Sequence, residues 1–481
     1  MTEYEAIIGL EIHAELMTAS KMFTTAPVVD SVEAEPNTAV SPLCLGMPGT
    51  LPVTNKQAVE YSLLVALALN CEINNHNIFA RKNYFYPDLP KGYQISQYEL
   101  PIGINGWLDV QLESGETKHI RIRRVHMEED TGKLTHQDDG TSLVDYNRAG
   151  VPLLEIVTEP DIHSGEEARA YAQKVRQILR YLGVNSGDME KGVLRVEPNI
   201  SIRPVGSTEF GTRTELKNLN SFKVLADGTA YEIERQTAVL NSGGSVIQET
   251  RGWNEAKRRT FSQRTKEEAE DYRYFPAPDL PPLYISEAWI AEARTKLPEL
   301  PDAKIKRYVN ELELTDYEAQ VLAEERKVAK WFETAVIAGG APKSVSKWML
   351  NELFRLMNES KQGIEEIKVE PVELVALIKL VDDQTINNNT AKEVLSEMFA
   401  SGQTAQAIVE AKGLAQISDE GALIELVNQI LDNNADNVAR YLAGEEKLRG
   451  FFVGQVMRET KGKANPGLVN KILAQQLAQR K

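Results

Sequence analysis

Residues 7–16 read IIGLEIHAEL, and polar and apolar side chains alternate along the second half of this stretch. Successive side chains of a β-strand point to opposite faces of the sheet. The pattern therefore predicts a strand whose polar face carries Glu11, His13 and Glu15, while its apolar side chains point into a core. Taken alone, this face is compatible with either a solvated sheet surface or a functional site.

Other segments predict acid-bearing strands of the same kind. They are residues 195–203 (RVEPNISIR), residues 213–217 (RTELK) and residues 126–133 (HMEEDTGK). Mg²⁺ takes oxygen ligands in octahedral geometry and keeps waters for contact with phosphates, so carboxylates from several strands suit it. The prediction of a magnesium site assumes that these strand faces converge in the fold.

The order of patterns along the chain predicts an α+β fold. Strand-like alternation dominates the first part, interrupted by one helix with Ser164 and Glu167 as a capping box and Gly183 as its stop. Helical periodicity takes over from about residue 286. We predict a mixed-sheet cradle domain followed by two all-helical domains, at residues 1–292, 293–405 and 406–481.

Composition restricts the class of protein. The 481 residues carry a formal net charge of -16, which argues against a generic nucleic-acid coat because phosphate binding needs clustered Lys and Arg. Residues 441–481 are an exception, with eight basic and three acidic residues. Cys44 and Cys71 are the only cysteines, so we expect no disulfide framework, no zinc site and a cytoplasmic location. We expect no membrane association, because no apolar run reaches the length of a span and residues 1–5 lack the features of a secretory signal.

Missing motifs narrow the chemistry further. The sequence has no P-loop, no glycine-rich dinucleotide fingerprint after a strand and no nucleophile elbow. Cys44 is either a nucleophile or a buried structural cysteine, and its context favours the second. A nucleotide bound by this chain would therefore depend mainly on carboxylates and a metal ion.

Eight ordered segments match long motifs of one protein family. They are residues 9–13 (GLEIH), 20–23 (SKMF), 81–97 (RKNYFYPDLPKGYQISQ), 126–130 (HMEED), 144–157 (VDYNRAGVPLLEIV), 215–222 (ELKNLNSF), 271–279 (DYRYFPAPD) and 454–466 (GQVMRETKGKANP). These segments resemble the B subunits of tRNA-dependent amidotransferases, and the last of them resembles the family's YqeY-like tail domain. The resemblance spans essentially the whole chain.

This resemblance implies a reaction and its partners. In the family, the B subunit uses ATP to phosphorylate the side-chain carboxylate of glutamyl-tRNA(Gln) or aspartyl-tRNA(Asn). Ammonia made by the A subunit, a glutaminase, then displaces the phosphate, and a small C subunit bridges the two. By resemblance we expect a heterotrimer with the A and C subunits that uses ATP and Mg²⁺ and binds tRNA(Gln), tRNA(Asn) or both.

The resemblance also implies which residues form the site. It does not identify the residues that contact the adenine of ATP. The expected catalytic residues are Glu11, His13, Lys82, Lys91, Glu128, Glu129, Glu197 and Glu215, and the expected metal ligands among them are Glu11, His13, Glu129 and Glu215. Glu128 adjoins Glu129 and could exchange roles with it. His13 is an unusual ligand, because hard cations favour oxygen.

Three further expectations follow from the resemblance. Lys82 and Lys91 match lysines associated with the ammonia path and the catalytic pocket, the alternative being surface lysines beside a tyrosine-rich loop. At Glu197 the family motif carries an aspartate, so the longer side chain leaves its role open. Arg458, Lys461 and Lys463 are the tail residues expected to contact tRNA.

Two classes of function stay open at this point. The chain is either the ATP-using subunit of an amidation ligase or a non-catalytic tRNA-binding scaffold. The basic tail fits both. The acidic strand faces favour the first, because a scaffold for a polyanion gains nothing from carboxylates gathered in one cradle.

Overall fold

A computed structural model describes residues 2–137, 139–265, 272–415, 420–460 and 464–480. The chain divides into two compact units, Met1–Pro301 and Asp302–Lys481. The first unit combines strands with helices, and the described part of the second is helical. This confirms the α+β class.

The first unit contains both kinds of element. Its strands are β1 Tyr4–Glu15, β2 Glu72–Ile73, β3 His76–Asn77, β4 Ala80–Asn83, β5 Tyr93–Ser96, β6 Gly103–Gln111, β7 Thr117–Glu129, β8 Lys133–His136, β9 Ser142–Asp145, β10 Pro152–Thr158, β11 Leu194–Pro204, β12 Thr214–Lys217, β13 Glu249–Asn254, β14 Arg259–Thr265, β15 Phe275–Pro276 and β16 Leu283–Tyr284. Its helices are α1 Lys56–Ala68, α2 Gly165–Leu182, α3 Phe222–Asn241 and α4 Glu287–Lys296.

Helices account for the second unit. They are α5 Pro301–Leu312, α6 Asp316–Ala323, α7 Arg326–Ile337, α8 Pro342–Trp348, α9 Phe354–Ser360, α10 Pro371–Asp382, α11 Asn388–Ser401, α12 Ala405–Ala411, α13 Glu420–Asp432, α14 Ala435–Leu442, α15 Leu448–Glu459 and α16 Pro466–Ala478, with a π-helical turn, Met349–Leu353, between α8 and α9. No helix in the described ranges is both long and apolar enough to cross a membrane.

A nine-stranded sheet organises the first unit, in the order β14-β13-β12-β11-β1-β10-β7-β6-β2. The opening strand β1 lies near its middle and pairs antiparallel with β11 and β10. Across these pairs Glu11 lies opposite Glu197, and His13 lies opposite Glu155. The acid-bearing strands are therefore neighbours, which confirms the assumption that their faces converge.

The two faces of this sheet have different roles. Helices α1, α2 and α3 contact strands of the sheet. Alternate residues of β1 point into the buried apolar core of the first unit. They are Ala6, Ile8, Leu10, Ile12 and Ala14. Glu11, His13 and Glu15 are only partly buried and lie on the other face, as the alternation predicts. Burial of the apolar half of the strand thus fixes the direction of its polar half.

Helix α2 begins and ends where its sequence predicts. The Ser164 hydroxyl accepts a hydrogen bond from the backbone N–H of Glu167 at 3.1 Å, and Gly183 ends the helix with a φ of 70°. The reciprocal half of the capping box differs, because the Glu167 carboxylate accepts from the N–H of His163 instead of Ser164. The cap still satisfies two backbone donors at the helix start.

The division into units differs from the predicted domain boundary at residue 292. That boundary falls inside α4, whose Ile290 and Ala293 are buried in the apolar core of the first unit. Because α4 packs into the core of the first unit, the division between the two units comes after this helix, at Pro301. The second unit has two groups of buried apolar residues, one between residues 308 and 409 and one between 423 and 477. The predicted boundary at residue 405 stays a prediction.

Candidate active site

Two groups of side chains that could hold a metal ion lie on the polar face of the central sheet. His13, Glu128 and Glu155 form one, and with the adjacent His126 we call it the histidine cluster. The other consists of three carboxylates, which we call the carboxylate triad: Glu11, Glu197 and Glu215. Within each metal-capable group, one ligand atom per residue lies within 4.8 Å of those of the others.

Glu155 is the centre of the histidine cluster. Its Oε2 lies 3.2 Å from Nε2 of His13 and 3.3 Å from Nε2 of His126. Glu128 completes the group, with Oε1 3.8 Å from Nε2 of His13 and Oε2 4.0 Å from Nε2 of His126. Nδ1 of each histidine is buried and has no hydrogen-bond partner in the described part of the chain, so both rings are oriented through Nε2.

The charges of this cluster stabilise one another. Burial alone would lower the pKa of His13, but the hydrogen bond and charge of Glu155 raise it to about 9. Burial would raise the pKa of Glu155, yet His126 and His13 hold it well below its ordinary value. Both shifts favour an ion pair between the protonated His13 ring and the Glu155 carboxylate.

Side chains from neighbouring strands fix the carboxylate triad. Nδ2 of Asn199 donates a hydrogen bond to Oε1 of Glu11 at 3.0 Å, and the Thr250 hydroxyl donates to Oε2 of Glu215 at 2.8 Å. Burial, followed by the charge of Glu155, raises the pKa of Glu11. That shift couples the triad electrostatically to the histidine cluster.

Lys217 supplies a positive charge to the triad. Its Nζ lies 2.9 Å from Oε2 of Glu197 and 3.4 Å from Oε1 of Glu215. Burial opposes the charged form, but the two carboxylates raise the pKa of Lys217 above its ordinary value. Glu197, whose extra methylene left its role open, therefore reaches the same group as Glu11 and Glu215.

Lys82 approaches the histidine cluster from a second, three-stranded sheet made of β15, β4 and β5. Its Nζ lies 4.7 Å from the ring centre of Tyr272. Burial works against its charge, but Glu128 and Glu155 raise the pKa of Lys82. A cation that is held against an aromatic face near two carboxylates suits the binding of an anionic substrate.

Glu129 lies apart from both groups. As the neighbour of Glu128 on β7 it points to the opposite face, where its carboxylate accepts hydrogen bonds from the Lys91 ammonium and, at 2.9 Å, from the N–H of Ile95. Lys91 also lines a cavity of about 480 Å³, together with residues 85–87, 89, 90 and 92. Of the expected metal ligands, Glu11 and Glu215 therefore lie together in the carboxylate triad, and His13 lies in the histidine cluster. The acid of β7 that approaches His13 is Glu128 and not Glu129.

Sequence reasoning did not single out Glu155 or His126 as site residues. Both lie within segments that carry the family resemblance, and Glu155 is the one charged residue in the strand PLLEIVT. A lone acid in an otherwise apolar strand is a usable signal, because an unpaired buried carboxylate is costly. His126 lies two residues before Glu128 on β7, so these two side chains share a face.

Two other sequence predictions concern residues away from this face. Arg458 is exposed near the end of α15, whereas Lys461 and Lys463 lie outside the described residues. Cys44 is buried, as its context predicts, with Sγ 3.6 Å from Nζ of Lys21.

Comparison with known proteins places this site in a family. The family model described as the GatB/GatE catalytic domain matches residues 6–291, and a GatB domain model matches residues 330–477. The B subunit of the aspartyl/glutamyl-tRNA(Asn/Gln) amidotransferase of Thermodesulfovibrio yellowstonii is 54% identical over 98% of both chains. The chain belongs to this family. The proteins of the same name from Caldanaerobacter subterraneus subsp. tengcongensis and Brevibacillus brevis are each 53% identical, over 99% of this chain and 100% and 99% of theirs.

Membership makes the chain one component of an amidation ligase. Both carboxylate-rich groups lie within the part matched by the catalytic-domain model. The all-oxygen donor set of the triad suits a hard cation such as Mg²⁺, and the mixed set of the histidine cluster also accepts softer divalent ions. The donor chemistry therefore fits the metal that the family resemblance implies.

Proposed function

We propose that the polar face of the central sheet is an ATP-dependent kinase and amidation centre that acts on glutamyl-tRNA(Gln), aspartyl-tRNA(Asn) or both. The observation that carries the proposal is the gathering of the histidine cluster and the carboxylate triad on adjacent strands. The relatives' name supplies the substrate class. A tRNA-binding scaffold without chemistry would have no use for the seven ionisable groups of these two clusters on one face.

The reaction has two steps, transfer of a phosphoryl group and its displacement by ammonia. A side-chain carboxylate oxygen of the aminoacyl group attacks the terminal phosphorus of ATP, and ADP leaves with the bonding electrons. Ammonia then attacks the carbonyl carbon of the acyl phosphate, inorganic phosphate leaves, and the new amide nitrogen loses a proton. Phosphoryl transfer of this kind depends mainly on positioning and charge neutralisation.

Residues of this chain divide those tasks between them. The triad and the histidine cluster would hold Mg²⁺, which when bound neutralises phosphate charge. Lys82, steadied by the ring of Tyr272, offers a cation to the same negative charge. The oxygen ligands are already oriented by Asn199 and Thr250, which reduces the reorganisation needed for binding.

Lys91 and Glu129 would serve the ammonia half of the reaction. They form a buried ion pair on the other face of β7, and Lys91 also lines the cavity of about 480 Å³. Ammonia from the glutaminase partner has to reach the acyl phosphate without exchange with bulk solvent. An ion pair whose lysine lines a cavity is suited to gate such a route.

The test uses the complex of this chain with the A and C subunits, glutamyl-tRNA(Gln), ATP, Mg²⁺ and ammonium chloride. For Glu128→Gln we expect ADP and glutaminyl-tRNA formation to fall together by about 100-fold or more, because a charge at the reacting centre is lost. Glu159→Gln is the matched control, since Glu159 follows β10 and pairs with the largely exposed Arg123. It should keep full activity, and tRNA affinity should be unchanged in both variants.

Normal ADP formation by the variant would contradict the proposal. If Glu128→Gln forms ADP at the wild-type rate, ATP is used elsewhere and the chain is a scaffold. Glu129→Gln sharpens the result, because this neighbouring acid faces the other side of β7. With glutamine in place of ammonium chloride as the nitrogen donor, we expect that variant to keep ADP formation and to lose amide product.

A further inference from the structure

Lys217 occupies a position among the triad carboxylates that the proposed chemistry does not use. It lies two residues beyond Glu215 on β12, so both side chains share one face of the sheet. Its ammonium contacts Glu197 at 2.9 Å and Glu215 at 3.4 Å. A cation of the chain itself is therefore seated against two of the three carboxylates.

The triad needs such a cation when no metal is present. Three carboxylates with oxygens within 4.8 Å of one another repel strongly, and burial strengthens the repulsion. The nearby ammonium offsets part of this cost for Glu197 and Glu215. Lys217 thereby keeps the ligand oxygens gathered before any divalent ion arrives.

The same ammonium opposes the binding of a divalent cation. A Mg²⁺ ion binds carboxylate oxygens at about 2.0–2.1 Å, so it would lie close to the ammonium that shares those oxygens. Like charges at that distance repel, and one of them has to move. The Lys217 side chain is 39% exposed, against 13% for Glu197 and 12% for Glu215, so the lysine can swing into solvent while the carboxylates stay in place.

We propose that Lys217 is a tethered counter-ion, which holds the carboxylate triad together in the metal-free chain and is displaced when a divalent cation binds. Lys217 is thus a positioning residue that sets the metal concentration at which the triad fills. The inference rests on the proposed function, because it takes the triad to be a metal site.

The test titrates the full-length chain with Mn²⁺ and follows the free ion by electron paramagnetic resonance. Lys217→Met removes the charge and keeps the length of the side chain, and Lys217→Arg keeps the charge. We expect Lys217→Met to bind Mn²⁺ at the triad about tenfold more tightly than wild type, since a repelling charge is gone. Lys217→Arg should bind like wild type, and adding Glu215→Gln to Lys217→Met should abolish the gain.

The direction of the change separates the inference from a structural defect. A variant with a disordered triad would bind Mn²⁺ more weakly, so tighter binding reports competition alone. Equal or weaker binding by Lys217→Met, with wild-type binding still lost in Glu215→Gln, overturns the counter-ion and leaves the metal site standing. If Glu215→Gln removes no bound ion from either protein, the triad is not a metal site, and the proposed function loses that part as well.

Discussion

The histidine cluster and the carboxylate triad lie on the same face of one sheet but balance their negative charge in different ways. In the first, a proton on His13 faces Glu155, and the pKa of His13 rises to about 9. In the second, the ammonium of Lys217 faces Glu197 and Glu215. Both positive charges are present at neutral pH, but the first is a proton that can leave the ring, whereas the second is carried by a side chain that has to move.

This difference means that a metal ion meets a different competitor in each place. In the histidine cluster it must displace a proton, and in the triad it must displace a side chain. The two places also influence each other, since Glu155 contributes to the raised pKa of Glu11. One face of the sheet can thus hold two cation sites that fill at different metal concentrations.

The largest expected effect comes from Glu155→Gln, which removes the acid shared by both histidines. Amidation by the complex should fall by about 100-fold or more, because a charge at the reacting centre is lost and the histidines are left unpaired. Glu197→Asp only shortens a carboxylate of the triad by one methylene, and we expect it to retain activity within about tenfold. Rates measured with glutamyl-tRNA(Gln) and ATP check both. Full activity of Glu155→Gln would exclude a role for the shared acid, and a loss of about 100-fold in Glu197→Asp would show that the triad does not tolerate the shorter carboxylate.

A smaller effect is expected on the pH response of the metal-free chain. The acids whose charges act on His13 are Glu155, Glu197, Glu128 and Glu11, and the cations His126, Lys82 and Arg124 lie near the same acids when they are charged. Because the folded pKa of His13 is raised from 6.5 to about 9, its contribution to stability is fully present below pH 6.5 and is lost as pH rises through 9. Histidine NMR resonances recorded in a chelator should show one ring that titrates near 9.

His13→Gln identifies that ring, since the chain has six histidines and one resonance should vanish. Lys217→Met should leave the titration near 9 in place, because the ammonium belongs to the other group. A His13 titration close to 6.5 would contradict the ion pair with Glu155. It would also remove the proposed contrast between the proton and the lysine as competitors.

The sequence predicted the strand faces better than the grouping of their residues. Alternation along residues 7–16 placed Glu11 and His13 on the polar side, because the spacing is local and burial enforces it. The order of strands in the sheet depends on long-range pairing, so alternation could not tell which acids meet. Glu128 and Glu129 illustrate this: period two puts them on opposite faces, but only the pairing of β7 with β10 shows which one meets His13.

The smallest expected effect lies in the tail and leaves both acidic groups untouched. Arg458 is exposed near the end of α15. A triple variant, Arg458→Gln with Lys461→Gln and Lys463→Gln, should bind tRNA more weakly. Its rate of amidation at saturating tRNA should not change. For each phosphate that the tail no longer neutralises, the plot of log affinity against log salt should flatten by about 0.7 to 0.9. Arg440→Gln is the control, because Arg440 is exposed but already paired with Glu445. An unchanged salt slope would exclude the tail as a phosphate-binding surface, and a fall in the saturated rate would mean that the tail acts on the sheet face itself.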